Sequence, residues 1–126
     1  MSEFISLKIL IECEVDTMNA DHKLFEESVY VAKVKPRMSR DEFKHTVFSQ
    51  ITSQMPSYQN MYGENVKWFP VAIIDVYEIP DFDAKLERVF TEVFSRNIIM
   101  SAGAKMNDVI NKFYPDYVWE DNIDNE

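Results

Sequence analysis

From Ile5 the odd positions of the chain are apolar (Ile5, Leu7, Ile9, Ile11, Cys13, Val15), while Ser6, Lys8, Glu12 and Glu14 occupy even ones. A period of two puts successive side chains on opposite faces, so residues 5–15 are predicted to form a long strand with one buried face. Residues 16–23 are polar and include Asn19 and Asp21, the composition of a hairpin loop. A second strand rich in Val and Tyr is expected over residues 25–34. Lys35-Pro36 ends it, because proline has no amide hydrogen to give to a ladder.

Ser39-Arg40-Asp41-Glu42 has the form of a capping box, with Ser39 capping the Glu42 amide and the Glu42 side chain reaching back. Met38 and Phe43 stand at the staple positions of the same motif. Phe43, Val47, Phe48, Ile51 and Met55 fall on one face of the helix that follows, and Pro56 limits it. A third strand is predicted over residues 66–79, a nearly continuous apolar run through Trp68, Val71, Ile73 and Val76. Such a run is covered on both faces for much of its length, and Pro70 marks an edge or a bulge.

Residues 86–100 fit two patterns. Leu86, Val89, Phe90, Val93 and Phe94 make a helical stripe, yet Val89, Thr91 and Val93 alternate with Phe90, Glu92 and Phe94 as in a fully covered strand. Propensity does not choose between them. Beyond Ser101 the spacing of Met106, Val109, Ile110 and Phe113 is helical again, and Pro115 closes that helix. Residues 115–126 form an acidic tail in which Tyr117, Val118 and Trp119 are able to dock on the body.

With 126 residues and no linker or repeat, the chain is a single domain, residues 1–126, with one core. Its net charge of −9 has no basic cluster to set against it, and residues 101–126 alone hold six acidic and two basic groups. Gripping a polyanion requires several clustered Lys and Arg, so direct nucleic-acid binding is not expected. An acidic surface steers basic proteins inward instead. No apolar stretch is long enough to span a bilayer, and the N-terminal run lacks a basic leader. The expectation is a cytoplasmic protein without a membrane partner, and a single cysteine agrees with it.

The inventory for catalysis is thin. Cys13 sits on the apolar face beside Ile11 and Val15, where burial raises a thiol pKa and leaves it inert. His45 lies off the apolar helical stripe and reads as a surface histidine. His22 belongs to the hairpin loop, and a zinc site using both would need carboxylates from elsewhere. Glu12, Glu14, Glu26 and Glu27 can gather on neighbouring strands around a hard cation; the plainer alternative is a solvated face with Lys8 and Lys33 interspersed. Pro80-Asp81 followed by Asp83-Ala84-Lys85 matches a nuclease pattern only by chance, since one residue separates halves that must face each other across strands. No catalytic residue, metal ligand or cofactor is assigned, and the chain is not expected to be an enzyme.

Tyr62, Gly63, Glu64 and Trp68 form the most distinctive local cluster. Gly63 suits a turn open to glycine. The rings make either a contact platform with Glu64 as polar anchor, or a loop and strand entry pinned by buried aromatics. Asp75, Tyr77 and Arg96 suit a buried ion-pair network.

Tyr62-Gly63-Glu64-Asn65-Val66-Lys67-Trp68, Asp75-Val76-Tyr77-Glu78 and Glu92-Val93-Phe94-Ser95-Arg96 resemble the motifs of a small bacterial family, domain of unknown function 4288. The likeness runs over residues 7–98. Two departures stand out: Asp83-Ala84-Lys85 replaces a glycine-containing turn, and the residues after Ser101 add a helix and a tail. The family is functionally uncharacterised, so the resemblance implies an architecture and no activity. It tips residues 86–98 towards strand. The expected fold is α+β: an antiparallel sheet of about four strands with two helices packed on it, in the order β-β-α-β-β-α.

The first functional reading is a small acidic protein-interaction domain, such as an immunity or inhibitor protein covering a basic partner. Its candidate contact residues are Tyr62, Glu64 and Trp68, with Asp116, Trp119, Glu120, Asp121 and Asp124 of the tail. One alternative is a structural protein that pairs through a strand edge as a homodimer. The other is a small ligand-binding domain or carboxylate enzyme, which requires a concave pocket with convergent polar groups.

Overall fold

The alternating run that opens the chain becomes the centre of a sheet. The computed structural model describes residues 4–16, 22–33, 39–79 and 90–117. The elements are β1 (Phe4–Val15), β2 (His22–Lys33), α1 (Arg40–Ser53), β3 (Tyr58–Gln59), β4 (Asn65–Glu78), β5 (Phe90–Ser101) and α2 (Met106–Phe113). The five strands form one antiparallel sheet in the order β3-β4-β1-β2-β5.

Three irregularities curl this sheet into a half-barrel. Pro70 lies opposite Ile11 and Ala72 opposite Leu10, which leaves Val71 unmatched; Ile73 opposes Ile9 and Asp75 opposes Lys8, which leaves Ile74 unmatched. On the other side, Val29 faces Phe94 while Tyr30 faces Glu92, so Val93 is the extra residue. An extra residue on one strand bends it and raises its twist. Pro70 therefore stands beside a bulge, as its missing donor demands.

The two faces of β1 serve separate cores. Ile5, Leu7, Ile9 and Ile11 join Tyr30, Ala32, Ile73 and Phe90 under Val47 and Ile51 of α1, with Phe43, Phe48, Met55 and Trp68 packed around them. The whole predicted apolar face of α1 is used. Ser39 caps its start as expected, its Oγ accepting the Glu42 amide at 3.2 Å, which is the serine half of the predicted box. On the opposite face Leu10 joins Phe25, Ala72, Ile74 and Ile98 beneath Val109 of α2, with Met106, Ile110, Tyr114 and Tyr117 alongside. Among the described residues no helix is long and apolar enough to cross a membrane.

The expected fold needs correcting. The sheet has five strands, not about four, and the order is β-β-α-β-β-β-α. Strand dominates the structure, and one helix packs on each face of the curled sheet. The missed element is β3: its two residues, Tyr58 and Gln59, pair with Val66 and Asn65, a length too short to show a period. Residues 90–101 are strand, which resolves the ambiguity there. The one-buried-face reading of β1 omitted Leu10, which is fully buried on the second face. Pro36, Met38, Leu86, Val89 and residues 80–85 lie outside the described residues.

Leu10→Ala should lower unfolding free energy by about 2–5 kcal/mol in chemical denaturation, the range for emptying a fully buried leucine site. A loss under about 1 kcal/mol would show that the second core is not closed around Leu10.

Candidate functional site

Asn60 organises the turn between β3 and β4. Its Oδ1 accepts the amides of Tyr62 at 2.9 Å and Glu64 at 3.0 Å, and its Nδ2 donates to Glu64 Oε1 at 3.0 Å. Its main-chain amide donates to the Glu64 carbonyl, and its carbonyl accepts the Gly63 amide, both at 3.0 Å. Gly63 has φ +76°, a left-handed conformation that glycine enters without penalty. The tip of this braced turn is Met61 and Tyr62, 88% and 78% exposed.

The two predicted rings therefore part company. Trp68 is half-buried against the α1-side core, and its indole N–H donates to the Tyr58 hydroxyl at 3.1 Å. Glu64 turns one carboxylate oxygen inward to Asn60. Both hold the turn in place, and Tyr62 is the side chain presented to solvent. Met61, the most exposed large apolar residue, was not singled out; an asparagine two residues before a Tyr-Gly-Glu turn was the available signal.

Behind the turn lies a cleft of about 950 Å³, at the end of the sheet where β1 finishes and β2 begins. Cys13, Val15, Leu24, Ile99 and Ala104 supply apolar wall, and Glu12, Glu14, His22, Lys23, Glu64 and Lys105 supply charge or titratable groups. Tyr62 stands at its edge. Asp16 fixes this end by accepting the Asn65 amide at 2.8 Å and the Asn65 side chain at 2.6 Å. Lys23 is spoken for: it pairs with Glu12 at 3.2 Å and donates to the Cys13 carbonyl at 2.7 Å. Burial pushes the Cys13 thiol up, with Lys23 opposing in part. Glu14 is exposed and makes no ion pair with a described residue. His22 is the exposed first residue of β2 instead of part of the loop.

The four strand carboxylates do not converge. Glu12 and Glu27 share one face and are engaged separately, while Glu26 opposes Ile11 on the other face. Among the described residues no three His, Cys, Asp or Glu side chains are grouped to hold a metal ion. Glu27 is 5% exposed and bonded by the Arg96 Nε–H, with Lys8 Nζ at 3.5 Å; Lys8 also reaches Asp75 at 3.9 Å. The buried network expected of Asp75, Tyr77 and Arg96 does not form: Arg96 and Asp75 are partly exposed and joined only through Glu27 and Lys8, and Tyr77 is 61% exposed. Tyr114 has its hydroxyl buried beside this pair without a hydrogen bond of good geometry. Burial, then the Glu27 charge, push its pKa up to about 12.

Asp116 is exposed and lines a smaller cleft of about 240 Å³ with Lys8, Asp75 and Tyr114, apart from Tyr62 and Glu64. Trp119, Glu120, Asp121 and Asp124 lie outside the described residues. No family model matches the chain, and neither a curated protein nor a solved structure does.

Removing the Asn60 side chain should loosen the turn. Asn60→Ala should cost about 1–3 kcal/mol and raise amide exchange at Tyr62 and Glu64; unchanged exchange there would refute the bracing role. Glu26 offers a pH test. Its carboxyl pKa is raised, chiefly by burial and further by the Glu92 charge, against the bond donated by the buried Ser28 hydroxyl at 2.7 Å. A raised carboxyl pKa costs stability once pH rises through it, and nothing below the unfolded value. Glu26→Gln, which still accepts from Ser28, should therefore melt higher than the parent at pH 7, with the gain gone below about pH 4. An equal gain at both pH values would count against this assignment.

Proposed function

We propose that this chain is a small acidic module that binds another protein through a basic surface, as an immunity or inhibitor protein does. The observation that carries the reading is the braced presentation of Met61 and Tyr62 on a body of charge −9. Exposed apolar and aromatic side chains are costly to leave in water and are the usual anchors of interfaces. Asn60 braces the backbone that carries them, so less main-chain entropy remains to be lost on association. The net negative charge raises the encounter rate with cationic partners and fades with salt. A reducing, cytoplasmic setting belongs to the same proposal and rests on the single Cys13. So does kinship with the uncharacterised family whose motifs the chain resembles; it adds no activity.

A second reading, binding of a small ligand, is favoured by the cleft itself, whose volume falls within the range of small-molecule sites. Pairing of two copies through β5 is favoured by Val93, Phe94 and Ile99, each more than half exposed on a strand whose described partner is β2 alone.

Affinity capture with the wild-type chain and with a Met61→Ala/Tyr62→Ala variant tests the first reading. The expected result is a protein of high isoelectric point, released by raised salt and lost from the variant. Capture indifferent to both salt and variant would refute it. Sedimentation showing a dimer broken by Val93→Lys would favour the strand-edge reading instead.

A further inference from the structure

We infer that the cleft behind Tyr62 receives an arginine side chain of the basic partner. This rests on the protein-binding reading and names the chemistry of its contact. Within the cleft, Lys23 is neutralised by Glu12 at 3.2 Å and held by the Cys13 carbonyl at 2.7 Å, so that pair contributes no net charge. Of the remaining ionised groups, Glu14 and Glu64 are set against Lys105, with His22 also on the wall. Among the described lining residues the balance is one negative charge, matched by one cation. Glu14 has both carboxylate oxygens open, and Glu64 has one beyond the oxygen that accepts from Asn60.

The rest of the lining distinguishes arginine from lysine. A guanidinium is planar, weakly hydrated, donates to two carboxylates at once and stacks on an aromatic face. Tyr62 provides that face at the edge, exposed and carried on backbone that Asn60 braces through the Tyr62 and Glu64 amides. Cys13, Leu24, Ile99 and Ala104 form an apolar wall against which the three methylenes of an arginine stem can lie. An ammonium, compact and strongly hydrated, uses the carboxylates but gains less from the ring and the wall. The walls come from four segments that the fold holds together: the end of β1, the start of β2, the Asn60 turn, and the β5–α2 turn with Gly103 at φ +84°. The site is thus built before the partner arrives.

The test is an NMR titration of the full, isotope-labelled chain with three blocked tripeptides, Gly-Arg-Gly, Gly-Lys-Gly and Gly-Glu-Gly, and with argininamide. Expected are amide shifts confined to residues 12–15, 22–24, 62–64 and 99–105, with the arginine peptide binding more tightly than the lysine one and the glutamate peptide not at all. Glu14→Gln/Glu64→Gln should weaken the arginine peptide about tenfold, the loss of roughly one charge-assisted contact. Lys105→Gln should tighten it. Glu14 and Lys105 lie at the surface, and at half-buried Glu64 glutamine keeps an oxygen to accept from Asn60; the spectrum of each variant also reports that it folds. Shifts spread over α1 and the acidic surface, no preference for arginine, or no effect of the Glu14/Glu64 variant would overturn the inference. Argininamide binding as tightly as the peptide would overturn the assignment to a protein side chain. A basic protein captured equally by wild type and by Glu14→Gln/Glu64→Gln would sink this inference while leaving the protein-binding reading intact.

Discussion

Ile9, Leu10 and Ile11 are consecutive and none has measurable exposure. In a strand, three such neighbours must point to alternate faces, so both faces of the sheet have to be covered at this one place. That constraint dictates the rest of the molecule. It calls for a helix on each side: α1 supplies Val47 and Ile51 to the Ile9 and Ile11 face, and α2 supplies Val109 to the Leu10 face. It also requires β1 to be interior to the sheet, with β2 and β4 satisfying its amides and carbonyls on both edges. A small chain gains from this doubling, because one strand serves two cores.

The second core is the smaller, and polar groups help to fasten it. Glu27 sits on the Leu10 face, opposite Leu10 on β2, where an unpaired carboxylate would be costly. Arg96 from the neighbouring strand and Lys8 from β1 meet it there, and the Arg96 guanidinium also lies 5.8 Å from the Phe113 ring of α2. One cation thereby links the sheet to the end of the short helix. Arg96 itself remains half exposed, so the pair is not fully desolvated and the gain from it is moderate. Its contribution is geometric as much as energetic: α2 has only Val109 fully buried, and the ion pair fixes where along the sheet that one contact falls.

How much of this was legible in the chain depends on length of signal. The capping serine and the stripe from Phe43 to Met55 span several turns, and α1 forms as its pattern dictates. Pro70 marked a bulge because its chemistry admits few alternatives. Leu10 was overlooked since a single apolar residue at an even position barely disturbs the alternation around it, yet it seeds a core. β3 was beyond reach, being two residues brought to β4 by the Asn60 turn, a tertiary event with no period. The cleft was hidden for the same reason: Glu14, Lys23, Tyr62, Ile99 and Lys105 are distant in sequence and are gathered by strand register together with the Asn60 and β5–α2 turns. Tyr62 and Glu64 were singled out as distinctive, but which would face outward depended on Asn60, whose side chain takes up one Glu64 oxygen and leaves the ring unclaimed.

The division between structural and presented groups follows from where hydrogen-bonding capacity is consumed. Along the middle of the sheet every charged side chain on the Leu10 face has an internal counterpart: Glu27 with Arg96 and Lys8, Lys8 with Asp75, Glu12 with Lys23. Charges satisfied in this way offer a partner little, since engaging them means breaking a contact already made. At the Asn60 turn the balance reverses. Its main-chain groups and Trp68 are satisfied internally, which makes the turn stiff, while Met61 and Tyr62 at its tip and Glu14 of β1 nearby are exposed. Stiff backbone carrying uncommitted side chains is the combination that lets association keep most of its contact energy. Of the described surface, this end of the half-barrel holds that combination beside a built concavity.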